Sequence, residues 1–184
     1  MIFNEIRLKG AYLIEIEKRV DVRGFFARAW CEKEASMHGL PPRMVQTSIS
    51  FNIKRGTLRG LHYQVPPGNE GKLIRCVRGK IFDVIVDLRP ESDTFLEHFS
   101  TVLSEDNHRS LYVPPRFAHG FQTLKDDTEV MYQMTDFYDP RCARGVRWND
   151  PAFAIQWPED QRIILERDSA YADFGPETWK ELEA

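Results

Sequence analysis

About ten short segments rich in β-branched and aromatic residues recur along the chain, at 11–17, 24–30, 44–52, 56–64, 72–77, 80–88, 98–103, 110–113, 120–124 and 128–135, separated by turn-forming residues. Helical periodicity is confined to 32–38 and a C-terminal stretch starting near Pro176, where proline suits the first helical position. A chain of this kind is all-β. So many short strands must close or stack to protect their edges, which points to a jelly-roll β-sandwich or barrel with a few short peripheral helices. Such folds often hold a small ligand in the barrel mouth.

The 184 residues suit one domain over 1–184, with no linker-like stretch and no internal repeat. A chain of this length buries roughly 70% of its unfolded surface, so its core needs no metal or disulfide staple. Cys31, Cys76 and Cys142 are odd in number and widely spaced, which argues against a disulfide framework or thiolate cluster. With 25 basic and 28 acidic residues the net charge is −3, so neither nucleic acid nor an anionic membrane is an expected partner. The N-terminus lacks a basic segment followed by an apolar one and no apolar run reaches membrane-spanning length, so a cytoplasmic protein is expected. The basic residues comprise 17 arginines and 8 lysines; this bias suits phosphate or diphosphate recognition, and codon usage explains it equally well.

Several polar residues interrupt the apolar pattern. Segment 72–84 reads as a hairpin turning at Arg78-Gly79, with Phe82, Val84 and Val86 on one face and Ile81, Asp83, Ile85 and Asp87 on the other. Lys72 shares the parity of Ile74 and Cys76; it points inward with them or snorkels at an edge. Tyr132 alternates with Val130 and Met134, as either a satisfied core tyrosine or a buried acid. In Leu58-Arg59-Gly60-Leu61-His62-Tyr63-Gln64, strict alternation sends Arg59 and His62 to opposite faces. If both serve one site, Gly60 must open a bulge. His62 is a core histidine or a base. His62 and His119 invite a metal reading, but Gln64 occupies the next same-face position and no Glu follows at ligand spacing, so no metal is expected.

Together Asp21-x-Arg23-Gly24-Phe25-Phe26, Leu58 to Gln64, Gly71-Lys72-Leu73-Ile74-Arg75, Phe82 to Arg89, Ala118-His119-Gly120-Phe121 and Trp148-Asn149-Asp150-Pro151 resemble the dTDP-4-dehydrorhamnose 3,5-epimerase family from about Asp21 to Asp168. The resemblance implies a cupin-type jelly roll, usually a homodimer, that acts without metal or organic cofactor on a nucleotide-diphosphate-linked 4-keto-6-deoxy sugar. It implies His62 as base, Asp168 as the carboxylate orienting it, Tyr132 as acid and Lys72 near the developing oxyanion. Arg23, Gln46, Arg59 and His119 match positions around the diphosphate and sugar, and Tyr138 an aromatic position near the nucleoside.

The residue types suit the chemistry. A hydrogen beside a ketone is acidic because the charge left behind spreads onto oxygen, and an imidazole can remove it. A carboxylate fixes that imidazole's tautomer, and an ammonium steadies the enolate. This chain departs from the family where Gln46-Thr47-Ser48-Ile49-Ser50 replaces Gln-Asp-Asn-His-Ser, and where Arg19 and Arg28 replace an aromatic and an acid near the base. A single-site 3- or 5-epimerase, a GDP- or CDP-linked substrate, and a non-catalytic sugar-nucleotide-binding jelly roll are the competing readings.

Overall fold

The computed structural model describes residues 1–183, the side chains at 177, 179, 181 and 183 excepted, so the last residue of the expected 1–184 domain lies outside the described residues. Strands and helices are numbered in chain order. One sheet runs β1 (Ile2–Glu5), β2 (Tyr12–Glu15), β10 (Ser110–Val113), β7 (Lys72–Arg78), β12 (Thr128–Met134), β5 (Gln46–Asn52). The other runs β13 (Ala143–Gly145), β6 (Thr57–Gln64), β11 (Phe117–Thr123), β8 (Lys80–Asp87), β9 (His98–Ser104), with β14 (Ile163–Ile164) added parallel to β6. Every other pairing is antiparallel. A small hairpin, β3 (Arg19–Asp21) and β4 (Gly24–Phe26), stands apart, and α1 (Glu32–Met37), α2 (Glu166–Ser169) and α3 (Pro176–Glu183) are peripheral. This is the all-β, cupin-type jelly roll expected. None of the described helices is long and apolar enough to cross a membrane.

Period-two alternation sets the layers. From β8, Ile81 and Ile85 pack with Ile74, Cys76, Val130 and Phe121 between the two sheets. The alternate residues Val84 and Val86 pack with Leu58, Leu61, Val146 and Trp157 on the other side of the second sheet. A smaller cluster of Ile14, Leu73 and Tyr112 is covered by Ala35 of α1 and by Leu40. Strand β8 is thus buried on both faces, which explains its near-continuous apolar run.

The segment 72–84 is not a hairpin. β7 pairs with β10 and β12, while β8 pairs with β11 and β9, so Gly79 carries the chain from one sheet to the facing one. Both strands direct one apolar face into the same inter-sheet core, and facing layers satisfy that better than adjacent strands. Gly79 has φ +78°, and a Cβ there would lie 2.4 Å from Thr128 Oγ1. The segment expected at 24–30 ends as a strand at Phe26, and the strand expected at 120–124 starts at Phe117. The four shortest strands, β3, β4, β13 and β14, span two or three residues each, too few for alternation to register.

Candidate active site

The site starts from a bulge between β6 and β11. His62 pairs with His119 and Arg59 with Phe121, so Gly60 and Leu61 together oppose Gly120 alone. Gly60 takes φ +112°, and a Cβ there would lie 2.7 Å from the Gly120 Cα. A Cβ on Gly120 would in turn lie 2.6 Å from the Arg59 carbonyl oxygen. The extra residue reverses the alternation and sends Arg59 and His62 to the same face, toward the space between the sheets. Arg59 reaches the opposite sheet, where its Nε donates to Asn52 Oδ1 of β5 at 2.8 Å while the residue stays exposed.

Below the bulge, β14 pairs with β6 at Ile163↔Thr57 and Ile164↔Leu58, delivering α2 and its Asp168 to His62. His62 Nε2 lies 2.9 Å from Asp168 Oδ1; the imidazole is about one-third exposed and the carboxylate nearly sealed, at 35% and 3%. Asp168 Oδ2 accepts the Gly60 amide at 3.1 Å, and Arg167 Nε donates to Oδ1 at 3.2 Å. Burial pushes the Asp168 carboxyl up, but the hydrogen bond and charge of His62 and the hydrogen bonds from Gly60 and Arg167 outweigh it and bring it down to about 2. A carboxylate so held accepts, so Nε2 carries the imidazole proton and Nδ1 is left with the lone pair.

A cavity of about 200 Å³ opens on His62, lined also by Lys72, Glu70, Tyr138, Tyr171, Arg144 and Arg167. Lys72 points into it and its ammonium is paired with Glu70, both side chains being largely buried. Gln46 supplies a side-chain oxygen that accepts the Tyr138 amide at 3.0 Å, fixing the base of a half-exposed tyrosine.

A second histidine–carboxylate pair is buried beside this one. His119 Nε2 lies 2.8 Å from Asp83 Oδ1, and Asp83 Oδ2 is buried without a partner. Burial pushes the Asp83 carboxyl up against the pull of His119. The Tyr132 ring meets His119 edge-on at 6.0 Å and lies tilted against Phe121 at 6.5 Å. Burial and the Asp83 charge raise its phenol above the ordinary tyrosine range, with Arg59 opposing. Both histidines spend Nε2 on a carboxylate, and among the described residues no three His, Cys, Asp or Glu side chains converge as metal ligands.

Of the residues expected at the site, His62, Lys72 and Tyr138 line the cavity, and Asp168 and Gln46 hold two of them. Arg59, His119 and Tyr132 are grouped on the adjoining inter-sheet face. Arg23 stands apart in the β3–β4 turn, with an 86% exposed side chain bonded to Asp21. Sequence reasoning missed Glu70, Asn52 and Tyr171. The Tyr171 ring meets His62 edge-on at 6.0 Å, and a Cβ on Gly145 would lie 2.2 Å from it. Asn52 ends β5, where nothing in the alternation sets it apart from other polar strand residues, and Glu70 and Tyr171 lie outside strands and helices, where no period marks an inward residue; a glutamate two residues from Lys72 is the one signal in the sequence.

The sequence profile of the dTDP-4-dehydrorhamnose 3,5-epimerase family matches residues 5–175. Proteins named dTDP-4-dehydrorhamnose 3,5-epimerase from Methanothermobacter thermautotrophicus and Sinorhizobium fredii are 43% and 41% identical to this chain, covering 90% and 92% of it and 90% and 88% of their own lengths. The crystal structure of the Bacillus anthracis dTDP-4-dehydrorhamnose 3,5-epimerase, with TDP and PPi bound, superposes with a TM-score of 0.91 at 40% identity, covering 94% of this chain and 99% of that one. Sequence profile, relatives and fold agree, and the chain belongs to the dTDP-4-dehydrorhamnose 3,5-epimerase family of isomerases.

Proposed function

We propose that this protein inverts C3 and C5 of a dTDP-linked 4-keto-6-deoxyhexose through an enolate, with His62 as base. The observation that carries the reading is the His62–Asp168 pair opening on the cavity that also receives the Lys72 ammonium. The lone pair on His62 Nδ1 takes the proton from the carbon beside the ketone, the C–H electrons move into the new C=C bond, and the carbonyl electrons move onto oxygen. Asp168 stabilises the imidazolium, and Lys72 the enolate oxygen. Tyr132, kept as a phenol by burial, returns a proton to the opposite face and is reprotonated from solvent while His62 releases its own. No electrons are gained or lost overall.

Arg59, on the open side between the sheets, and His119 face the diphosphate and sugar in this reading, Gln46 holds Tyr138, and Tyr138 faces the nucleoside. Base, acid and cation are all side chains, so activity should survive exhaustive chelation. Three free cysteines suit a reducing, cytoplasmic setting.

The working unit in this reading is a homodimer. Val20, Val22 and Phe26 of the β3–β4 hairpin and Ile49 and Phe51 of the edge strand β5 are exposed, an apolar surface that a second copy would cover. Arg23, remote from its own chain's cavity, would then act at the partner's site. Light scattering should give twice the chain mass, and Arg23→Ala should weaken dTDP binding; a monomer with full activity contradicts this part. The test of the function itself is conversion of dTDP-4-keto-6-deoxyglucose to a C3- and C5-inverted product. Tight binding without conversion would instead favour a non-catalytic sugar-nucleotide binder.

A further inference from the structure

Glu70 is a carboxylate in an active-site cavity to which the mechanism above gives no part. Its side chain is 7% exposed, that of Lys72 is 14% exposed, and the two are joined through the Lys72 ammonium. Both line the cavity with His62. The backbone between them is clamped: Gly71 donates its amide to Thr135 Oγ1 at 2.8 Å and accepts the Thr135 amide at 2.9 Å. A Cβ on Gly71 would lie 2.8 Å from Tyr112 Oη, so the clamp leaves no room for another residue. Glu70 and Lys72 therefore leave a fixed backbone at fixed angles, two residues apart.

We propose that Glu70 is a positioning residue that holds the Lys72 ammonium where its two remaining N–H donors face the enolate oxygen. The inference rests on the reading of Lys72 given above. A lysine has a flexible four-carbon stem and a rotating ammonium, so a cavity lysine left to itself samples many placements. Electrostatic stabilisation of a transition state requires the charge to be in place before the reaction. Glu70 fixes the stem at the cost of cancelling part of the ammonium's field. Because the pair is shielded from water, its geometry is held more firmly than that of a surface ion pair.

The test is a double-mutant cycle on turnover of dTDP-4-keto-6-deoxyglucose, with dTDP binding by calorimetry as the check that each variant is folded. Wild-type turnover comes first, and its absence overturns the functional reading and this inference with it. Given turnover, Glu70→Ala should lower kcat by roughly 10- to 100-fold and leave KM within about 3-fold. Glu70→Gln, which keeps an acceptor for the ammonium, should recover kcat to within about 5-fold of wild type. In a Lys72→Met background, Glu70→Ala should cost nothing further. Unchanged kcat in Glu70→Ala overturns the proposal. A rise in KM alone assigns the carboxylate to substrate contact and overturns it too, as do losses that multiply in the double variant. If Glu70→Ala does not bind dTDP, Glu70→Asp, one methylene too short to reach, replaces it in the same cycle with the same expected loss.

Discussion

The amide of Gly60 donates to Oδ2 of Asp168 at 3.1 Å, across 108 positions of sequence. Because the other oxygen of the same carboxylate holds His62, the bulge that turns His62 inward and the carboxylate that orients it are one assembly. Changes at either end should be felt at the other.

Replacing His62, the proposed base, should separate chemistry from binding. His62→Ala is expected to lower kcat by about 10³-fold or more while the dissociation constant for dTDP stays within about 3-fold. Asp168→Asn keeps the imidazole but not its orientation and should lose activity less completely than His62→Ala. Steady-state kinetics with calorimetric dTDP binding measures both. Substantial turnover in His62→Ala would remove it from the base role.

Gly60 is expected to tolerate no side chain. At φ +112° and 2.7 Å from the facing backbone, Gly60→Ala should destabilise the fold by about 2–4 kcal/mol and lose activity beyond what instability explains. Urea unfolding and kcat on the folded fraction give the two numbers. Wild-type stability in this variant would contradict the bulge.

The Asp168 carboxylate should leave a signature in acid stability. Its carboxyl falls from the ordinary aspartate range near 4 to about 2 in the folded protein, so it stabilises the native state above pH 4 and loses that contribution as the pH falls toward 2. The depression corresponds to about 2 kcal/mol. The stability gap between wild type and Asp168→Asn, from urea unfolding at each pH, should therefore shrink by about that amount between pH 5 and pH 2. A gap independent of pH would mean the carboxylate is not held as described.

Nucleotide selectivity should be loose. Arg19 and Arg28 line a second cavity of about 520 Å³ with Lys18, Phe26 and Glu34, and Arg28 donates to Glu34 at 2.6 Å. With arginines where an aromatic and an acid are expected to read thymine, inhibition constants for dTDP, GDP and CDP should agree within about 10-fold. A preference for dTDP above about 100-fold would contradict this.

Much of this architecture is legible in the sequence because period two is a strong signal in long strands. The alternation of Ile81, Asp83 and Ile85 against Val84 and Val86 assigns both faces of β8 by parity alone, and a glycine between Arg59 and His62 marks the bulge. The layer change at Gly79 is not legible, since alternation says which way side chains point and nothing of which strand lies alongside. Pairing of His62 with Asp168 spans 106 positions, and only the family resemblance points to it. His119 and Asp83 are each visible as polar residues, but their contact depends on the β8–β11 register. Glu70 and Tyr171 lie outside regular strands and helices, where no period identifies an inward residue.

One base removing protons on both sides of a single ketone would leave its trace when the enzyme is incubated with dTDP-4-keto-6-deoxyglucose in deuterated water and each sugar carbon is read by NMR. Deuterium is expected at C3 and at C5, with inversion at both. Label confined to one carbon would make this a single-site epimerase, exchange without inversion would remove Tyr132 as the acid, and no exchange at either carbon would rule out His62 as a base toward this sugar.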